Sequence, residues 1–205
     1  LAKINLAVEN NTLAKEQVLI DAFNYAKAEG KNVHFLGLVS DGGVHSHIDH
    51  LKGLVDVVNN YGIANSYIHA FTDGRDVDPK SGITHIKNIQ DFIANTNTKL
   101  ATVVGRYYAM DRDKRWERVK IAYDLLTKGI GTLTNNPIGA IQESYDNGVT
   151  DEFITPITIL ENQKPTATIQ PDDVVIFFNF RTDRGRQLTE VLTQKDFPTH
   201  HMKRL

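Results

Sequence analysis

Val33-His34-Phe35-Leu36-Gly37-Leu38-Val39-Ser40-Asp41-Gly42-Gly43-Val44-His45-Ser46-His47-Ile48-Asp49-His50 is the stretch from which the fold can be read. Val33 to Val39 is an apolar run of strand length, as expected of a strand buried on both faces of a parallel sheet. It breaks into Ser40-Asp41-Gly42-Gly43, small and polar residues with two glycines free to turn the backbone. Ser46 with Asp49 three residues on, and apolar Ile48, Leu51, Leu54, Val55 and Val58, predict a capping box opening a helix that ends near Tyr61-Gly62. His45 then stands just outside the helix start, at the edge where open α/β sheets bind ligands.

Upstream, Lys15 to Glu29 is predicted as an amphipathic helix stopped by Gly30, and the alternation of Ile4, Leu6 and Val8 suggests a short strand or a lead-in segment. Downstream the pattern repeats. Ser66 to Phe71 is a second strand, Thr72 to Asp76 a polar turn, and Asp78-Pro79 opens a helix with Ile83, Ile86, Ile89, Phe92 and Ile93 inward. Lys99 to Val104 is a third strand, Gly105 to Met110 its turn, and Asp111 to Lys128 a charged helix. Three successive βα units imply an α/β fold, three-layered, with a mostly parallel sheet flanked by helices on both faces. After Gly129 the signal weakens: Asn136-Pro137 caps a short helix through Tyr145, and residues 153–171, interrupted by Pro156, read as loop with an edge strand. Val174 to Phe180, Arg181-Thr182-Asp183-Arg184 and a helix through Leu188, Val191 and Leu192 form a last unit. One domain over 1–205 is expected, with a subdomain break near 130–170 as the alternative.

The 205 residues carry a formal charge of −2 and no cysteine, which excludes disulfides, thiolate metal sites and a thiol nucleophile. No basic run marks a nucleic-acid or membrane surface, no apolar stretch nears the roughly 20 residues that span a bilayer, and no signal peptide is visible. A cytoplasmic protein is the expectation, and a chain that begins at Leu1 is read as a piece of a larger one.

Arginine is the most informative residue. None of the nine falls in residues 1–74; eight then occur as Arg75, as Arg106, Arg112, Arg115 and Arg118, and as Arg181, Arg184 and Arg186. Each group begins just after a predicted buried strand. If those strands are parallel, Arg75, Arg106 and Arg181 converge with His45 on one edge. A planar guanidinium fork suits carboxylate or phosphate, so a small, multiply charged anion is the expected guest. Position alone leaves Arg112 and Arg184 open and puts Arg115, Arg118 and Arg186 on solvated helix faces.

His45, His47 and His50 with Asp41 and Asp49 also allow a metal site, although His47 and His50 share a helix face that His45 need not share. His45 as a hydrogen-bond donor or proton carrier is the preferred reading. His34, His69 and His85 are assigned to core or surface. Asp76, beside Arg75, is a candidate acid or base, and a capping or salt-bridging role is its alternative. No nucleophile elbow, P-loop or dinucleotide fingerprint is present.

Four blocks then carry a resemblance: Leu38 to His47, His69 to Val77, Gly105 to Trp116, and Phe178 to Arg184. In order and spacing they closely resemble cofactor-independent phosphoglycerate mutase. The resemblance implies a two-domain enzyme. A phosphatase-like domain holds two manganese ions and a serine that carries the phosphoryl group, and an inserted phosphotransferase domain binds the glycerate. This chain would be the inserted domain alone, inactive by itself, with the metal ligands and the serine in the other domain. His45, Arg75, Asp76, Arg106, Arg112, Arg181 and Arg184 would line the pocket for 3-phosphoglycerate and 2-phosphoglycerate, with Asp76 moving the hydroxyl proton. A lysine the family also uses falls beyond Leu205. The implied parent works in glycolysis and gluconeogenesis as a cytoplasmic monomer without nucleic-acid or membrane partners. Two other readings stay open on the residues alone: a metal hydrolase using Asp41, His45 and His47, and a non-catalytic phosphometabolite-binding module.

Overall fold

In a computed structural model, which describes residues 1–205, the strand at the centre of the prediction is β1 (Val33–Leu38), buried at every position. It is flanked in parallel by β2 (Ser66–Thr72) and by β7 (Val174–Phe177), and β2 pairs in parallel with β3 (Thr98–Gly105). Leu38 sits opposite Phe71 and Phe71 opposite Val104, so three chain segments leave the sheet at the same edge. β5 (Ile157–Glu161) runs antiparallel to β3, β4 (Thr132–Thr134) lies outside β5, and β6 (Lys164–Pro165) pairs with β5.

Side-chain alternation along the strands feeds two cores. Val33 and Phe35 face the core under α2 (Gln17–Glu29), α3 (Ile48–Asn60), α4 (Gly82–Ile93) and α7 (Pro137–Asp146). Leu36 and Leu38 face the other, under α5 (Arg106–Ala109), α6 (Trp116–Lys128) and α8 (Arg186–Thr193). The result is the expected three-layer α/β architecture.

Several expectations need correction. Residues 2–9 form a helix, α1 (Ala2–Glu9), which lies on α3 where Gly53 leaves room for Val8 and Leu13. The cap of α3 is His47, whose Nδ1 accepts from Asp49 N; Ser46 instead donates its hydroxyl to Leu38 O. The helix after β2 starts at Gly82 because Asp78 closes its own turn, accepting from Lys80 N at 2.8 Å and from Ser81 N at 3.1 Å. The long charged helix begins at Trp116, since Asp111 Oδ2 takes the amides of Asp113 and Arg115 (3.1 and 3.0 Å) and turns the chain there. β5 lies inside the sheet, between β4 and β3, so residues 132–134 and 157–161 of this region join the same sheet.

Candidate anion-binding site

The loops after β1, β2, β3 and β7 leave one edge of the sheet, and the first, second and fourth are tied together by backbone and carboxylate contacts. Phe180 N donates to His45 O at 2.9 Å, joining the loop after β7 to the loop after β1. Behind them stands Asp73, buried at the end of β2, which accepts from the Ser40 hydroxyl (2.7 Å), Arg75 N (3.1 Å) and Asp76 N (3.0 Å). Burial pushes the Asp73 carboxyl up, but the amides of Asp76 and Arg75, the Ser40 hydroxyl and Arg106 outweigh it and hold it below the usual carboxylate range.

Arg106, 3% exposed, opens α5 and donates through Nη1 to Asp73 Oδ1 and Asp76 Oδ2, each at 2.8 Å. That buried charge is matched, and removing either side would strand the other. Asp183 collects two more arginines: Arg112 Nη1 donates to it at 3.0 Å, and Arg181 Nη2 at 3.3 Å. Burial raises the Asp183 carboxyl, and Arg112, Arg181 and His45 together lower it further than that. His45 is buried, with Nδ1 3.9 Å from Asp183 Oδ1 and neither atom hydrogen-bonded. Burial first, then Arg106 and Arg181, lower the His45 pKa against the pull of Asp76 and Asp183, which keeps the ring neutral at pH 7.

A cleft of about 370 Å³ opens beside this network, with Arg75, Arg106, Arg112, Arg115, Arg118 and Arg184 on its wall. Arg75 meets only Glu152, Nη1 to Oε1 at 3.5 Å. Arg184 has no carboxylate in hydrogen-bond reach and donates to Met110 O at 3.1 Å. Burial and the neighbouring Arg112, Arg106 and Arg75 depress its pKa, the condition of a cation crowded by its own kind. Four of the residues singled out from sequence therefore share the cleft. Asp76 reaches it through Arg106. Arg181 lines the adjoining hollow with Asn179 and Arg186, joined to Arg112 through Asp183.

Arg118 departs from expectation: its guanidinium lies 3.7 Å over the Tyr107 ring and 3.9 Å from Asp111, mostly buried rather than solvated. Glu152 carries no signal in the sequence, since it sits in an aperiodic stretch and reaches Arg75 from 77 residues away. Asp41, His45 and His47 diverge: Asp41 faces His85 at 3.5 Å, His47 caps α3, and His45 faces Asp183. They form no common ligand set.

Known proteins resemble this chain along nearly its whole length. The family model described as BPG-independent PGAM N-terminus (iPGM_N) matches residues 4–205. A 2,3-bisphosphoglycerate-independent phosphoglycerate mutase of Flavobacterium johnsoniae is 66% identical over 206 residues, covering 100% of this chain and 41% of that protein. The enzyme of the same name from Parabacteroides distasonis is 54% identical over 198 residues, covering 97% and 39%. The chain thus spans about two-fifths of the length of these relatives. A crystal structure of Leishmania mexicana phosphoglycerate mutase at low cobalt concentration superposes with a TM-score of 0.88 at 27% identity, over 95% of this chain and 37% of that one. On a match that runs from Ile4 to the last residue, the chain belongs to the BPG-independent PGAM N-terminus family.

Proposed function

We propose that this chain is the substrate-binding, phosphotransferase domain of a mutase that interconverts 3-phosphoglycerate and 2-phosphoglycerate. The observation that carries the reading is the cleft: Arg75, Arg106, Arg112 and Arg184, delivered by three separate strand ends, face one space with fewer carboxylates than cations at hand. A three-carbon acid bearing a carboxylate and a phosphate supplies the missing charge. Arg112, Arg181 and Arg184 hold its two anionic ends, and Arg75 meets it from the loop after β2. Arg106, committed to Asp73 and Asp76, fixes the floor.

In this reading a serine of the parent's other, phosphatase-like domain gives up its hydroxyl proton and attacks phosphorus, the bond from phosphorus to the glycerate oxygen breaks, and that oxygen leaves carrying the proton. The retained glycerate then presents its other hydroxyl; Asp76 takes that proton as the oxygen attacks the phosphoserine, the bond from phosphorus to the serine oxygen breaks, and the proton passes on to the departing serine oxygen. Asp76 is the catalytic residue assigned here, oriented by the Arg106 contact at 2.8 Å. His45, neutral and with a free Nδ1, is a substrate contact. Two manganese ions belong to that other domain. The residues of this cleft do not fit them, because guanidinium groups donate hydrogen bonds and do not ligate cations. By the same resemblance the parent is read as a monomeric enzyme of glycolysis and gluconeogenesis in the cytoplasm. No helix of this chain is long and apolar enough to cross a membrane.

The test is direct. The isolated chain is expected to bind 3-phosphoglycerate, to lose about tenfold or more in affinity in Arg184→Ala, and to show no mutase turnover even with manganese. Turnover by the chain alone, or binding indifferent to Arg184, would refute the assignment.

A further inference from the structure

Glu152, one of three carboxylates at the cleft with Asp111 and Asp113, is the one that faces an arginine of the proposed site, and the reading above leaves it without a task. It sits in the turn Asp151–Phe153, whose backbone is wedged between the ends of β2 and β3. A Cβ at Gly74 would stand 2.8 Å from Glu152 N, and one at Gly105 2.3 Å from Glu152 O. Thr72 Oγ1 donates to Asp151 O at 2.7 Å, Gly105 N to Ile154 O at 2.8 Å, and the Phe153 and Tyr107 rings lie 5.1 Å apart. The turn cannot shift without the strand ends shifting with it.

Arg75 is the opposite case. Its side chain is 50% exposed, against 19% for Glu152, and Glu152 is the only side chain with which its guanidinium makes a hydrogen bond or ion pair. The contact is one-armed and long, Nη1 to Oε1 at 3.5 Å, so Nε and Nη2 stay open toward a ligand. A carboxylate competing for the ligand's place would engage the fork through two short bonds. A lateral, single contact restricts the arginine and leaves its binding face free.

We propose that Glu152 is the positioning residue for Arg75: anchored on the rigid Asp151–Phe153 turn, it restricts an otherwise free side chain to the orientation in which it meets the anionic end of a phosphoglycerate. The proposal rests on the phosphoglycerate reading above. Rotamer freedom removed in advance is freedom that binding need not remove, so affinity depends on Glu152 only while Arg75 is present.

A double-mutant cycle in this chain tests it, with 3-phosphoglycerate titrated and followed by amide resonance shifts. Glu152→Ala is expected to weaken binding about 3–10-fold when Arg75 is intact and by less than about 1.5-fold in Arg75→Ala, a coupling that a merely structural role does not produce. Glu152→Gln, which keeps an acceptor, falls between and guards against a folding defect. Equal losses in both backgrounds, or tighter binding once Glu152 is removed, overturn the proposal alone. Absence of any response in the wild type and every variant overturns it together with the phosphoglycerate reading.

Discussion

His34 and His69 lie fully buried on neighbouring strands, with His34 Nδ1 2.9 Å from His69 Nε2. His34 Nε2 meets Asp173 Oδ2 at 2.9 Å, and His69 Nδ1 meets the Thr102 hydroxyl at 2.9 Å. With both rings neutral, an ionised Asp173 can only accept, so His34 carries its proton on Nε2 and its Nδ1 accepts from His69 Nε2, leaving His69 Nδ1 to accept from Thr102. Burial, then His34, drive the His69 pKa well below its ordinary 6.5. The unfolded chain therefore takes up a proton near pH 6.5 that the native ring refuses. Stability is full above that pH and falls as pH drops below it. At pH 8, 15N-detected imidazole spectra are expected to show both rings as the Nε2–H form, and the His69 signal is expected to stay neutral at pH 6. A charged His69 at that pH contradicts this network. The arginine grouping was legible because arginine is absent before residue 75. This ladder was not, because Asp173, His34, His69 and Thr102 are adjacent only through the pairing of β7, β1, β2 and β3.

Among the elements, the Asp151–Phe153 turn carries a second charge problem. Asp151 is fully buried and accepts from Gly82 N at 2.7 Å and from the Tyr145 hydroxyl, with no cation beside it. Burial raises its carboxyl to about 6, despite those two donors. An unfolded aspartate titrates at 3.8, so the native state binds the proton more tightly. This group therefore favours folding most at low pH, and its contribution declines as pH rises from about 4 to 6. The full cost, about 3 kcal/mol, stands at pH 7. An asparagine keeps an acceptor for Gly82 N and avoids the buried charge. Asp151→Asn is expected to gain up to about 3 kcal/mol over the parent at pH 7.5 and nothing at pH 4, read by urea unfolding at a series of pH values. A loss that grows with pH would show that the ionised carboxylate is needed where it stands. Strands β1, β2, β3 and β7 and most helices were legible from their apolar periods. The starts of α4 and α6 were not, because Asp78 and Asp111 use their side chains to form turns where the sequence also permits a helix.

For the whole molecule, the parallel sheet could be inferred from the repeated strand–turn–helix pattern, while the order β3-β2-β1-β7 that places the arginine loops on one edge comes from the structure. The β4–β5 extension could not: a three-residue strand with no buried side chain has no readable period, and Pro156 interrupts the approach to β5. That contrast in burial carries over to dynamics. β1 is buried throughout, whereas α1 has no buried residue and is held mainly by packing on α3 and by the contact of Asn5 Oδ1 with His50 Nε2 at 2.6 Å. Local opening follows buried contact density, so the strands should open only with global unfolding and α1 long before it. In native-state hydrogen exchange, β1 and β2 amides are expected to exchange slowest, and those of α1 and β4 faster by orders of magnitude. Adding 3-phosphoglycerate should slow exchange in the loops 39–47, 73–81, 106–115 and 178–185 while leaving α1 unchanged, because the ligand stabilises only what touches it or is unfolded with it. Protection that appears first in α1, or spreads evenly over the chain, would mean that the anion binds elsewhere or that the four loops do not act as one site.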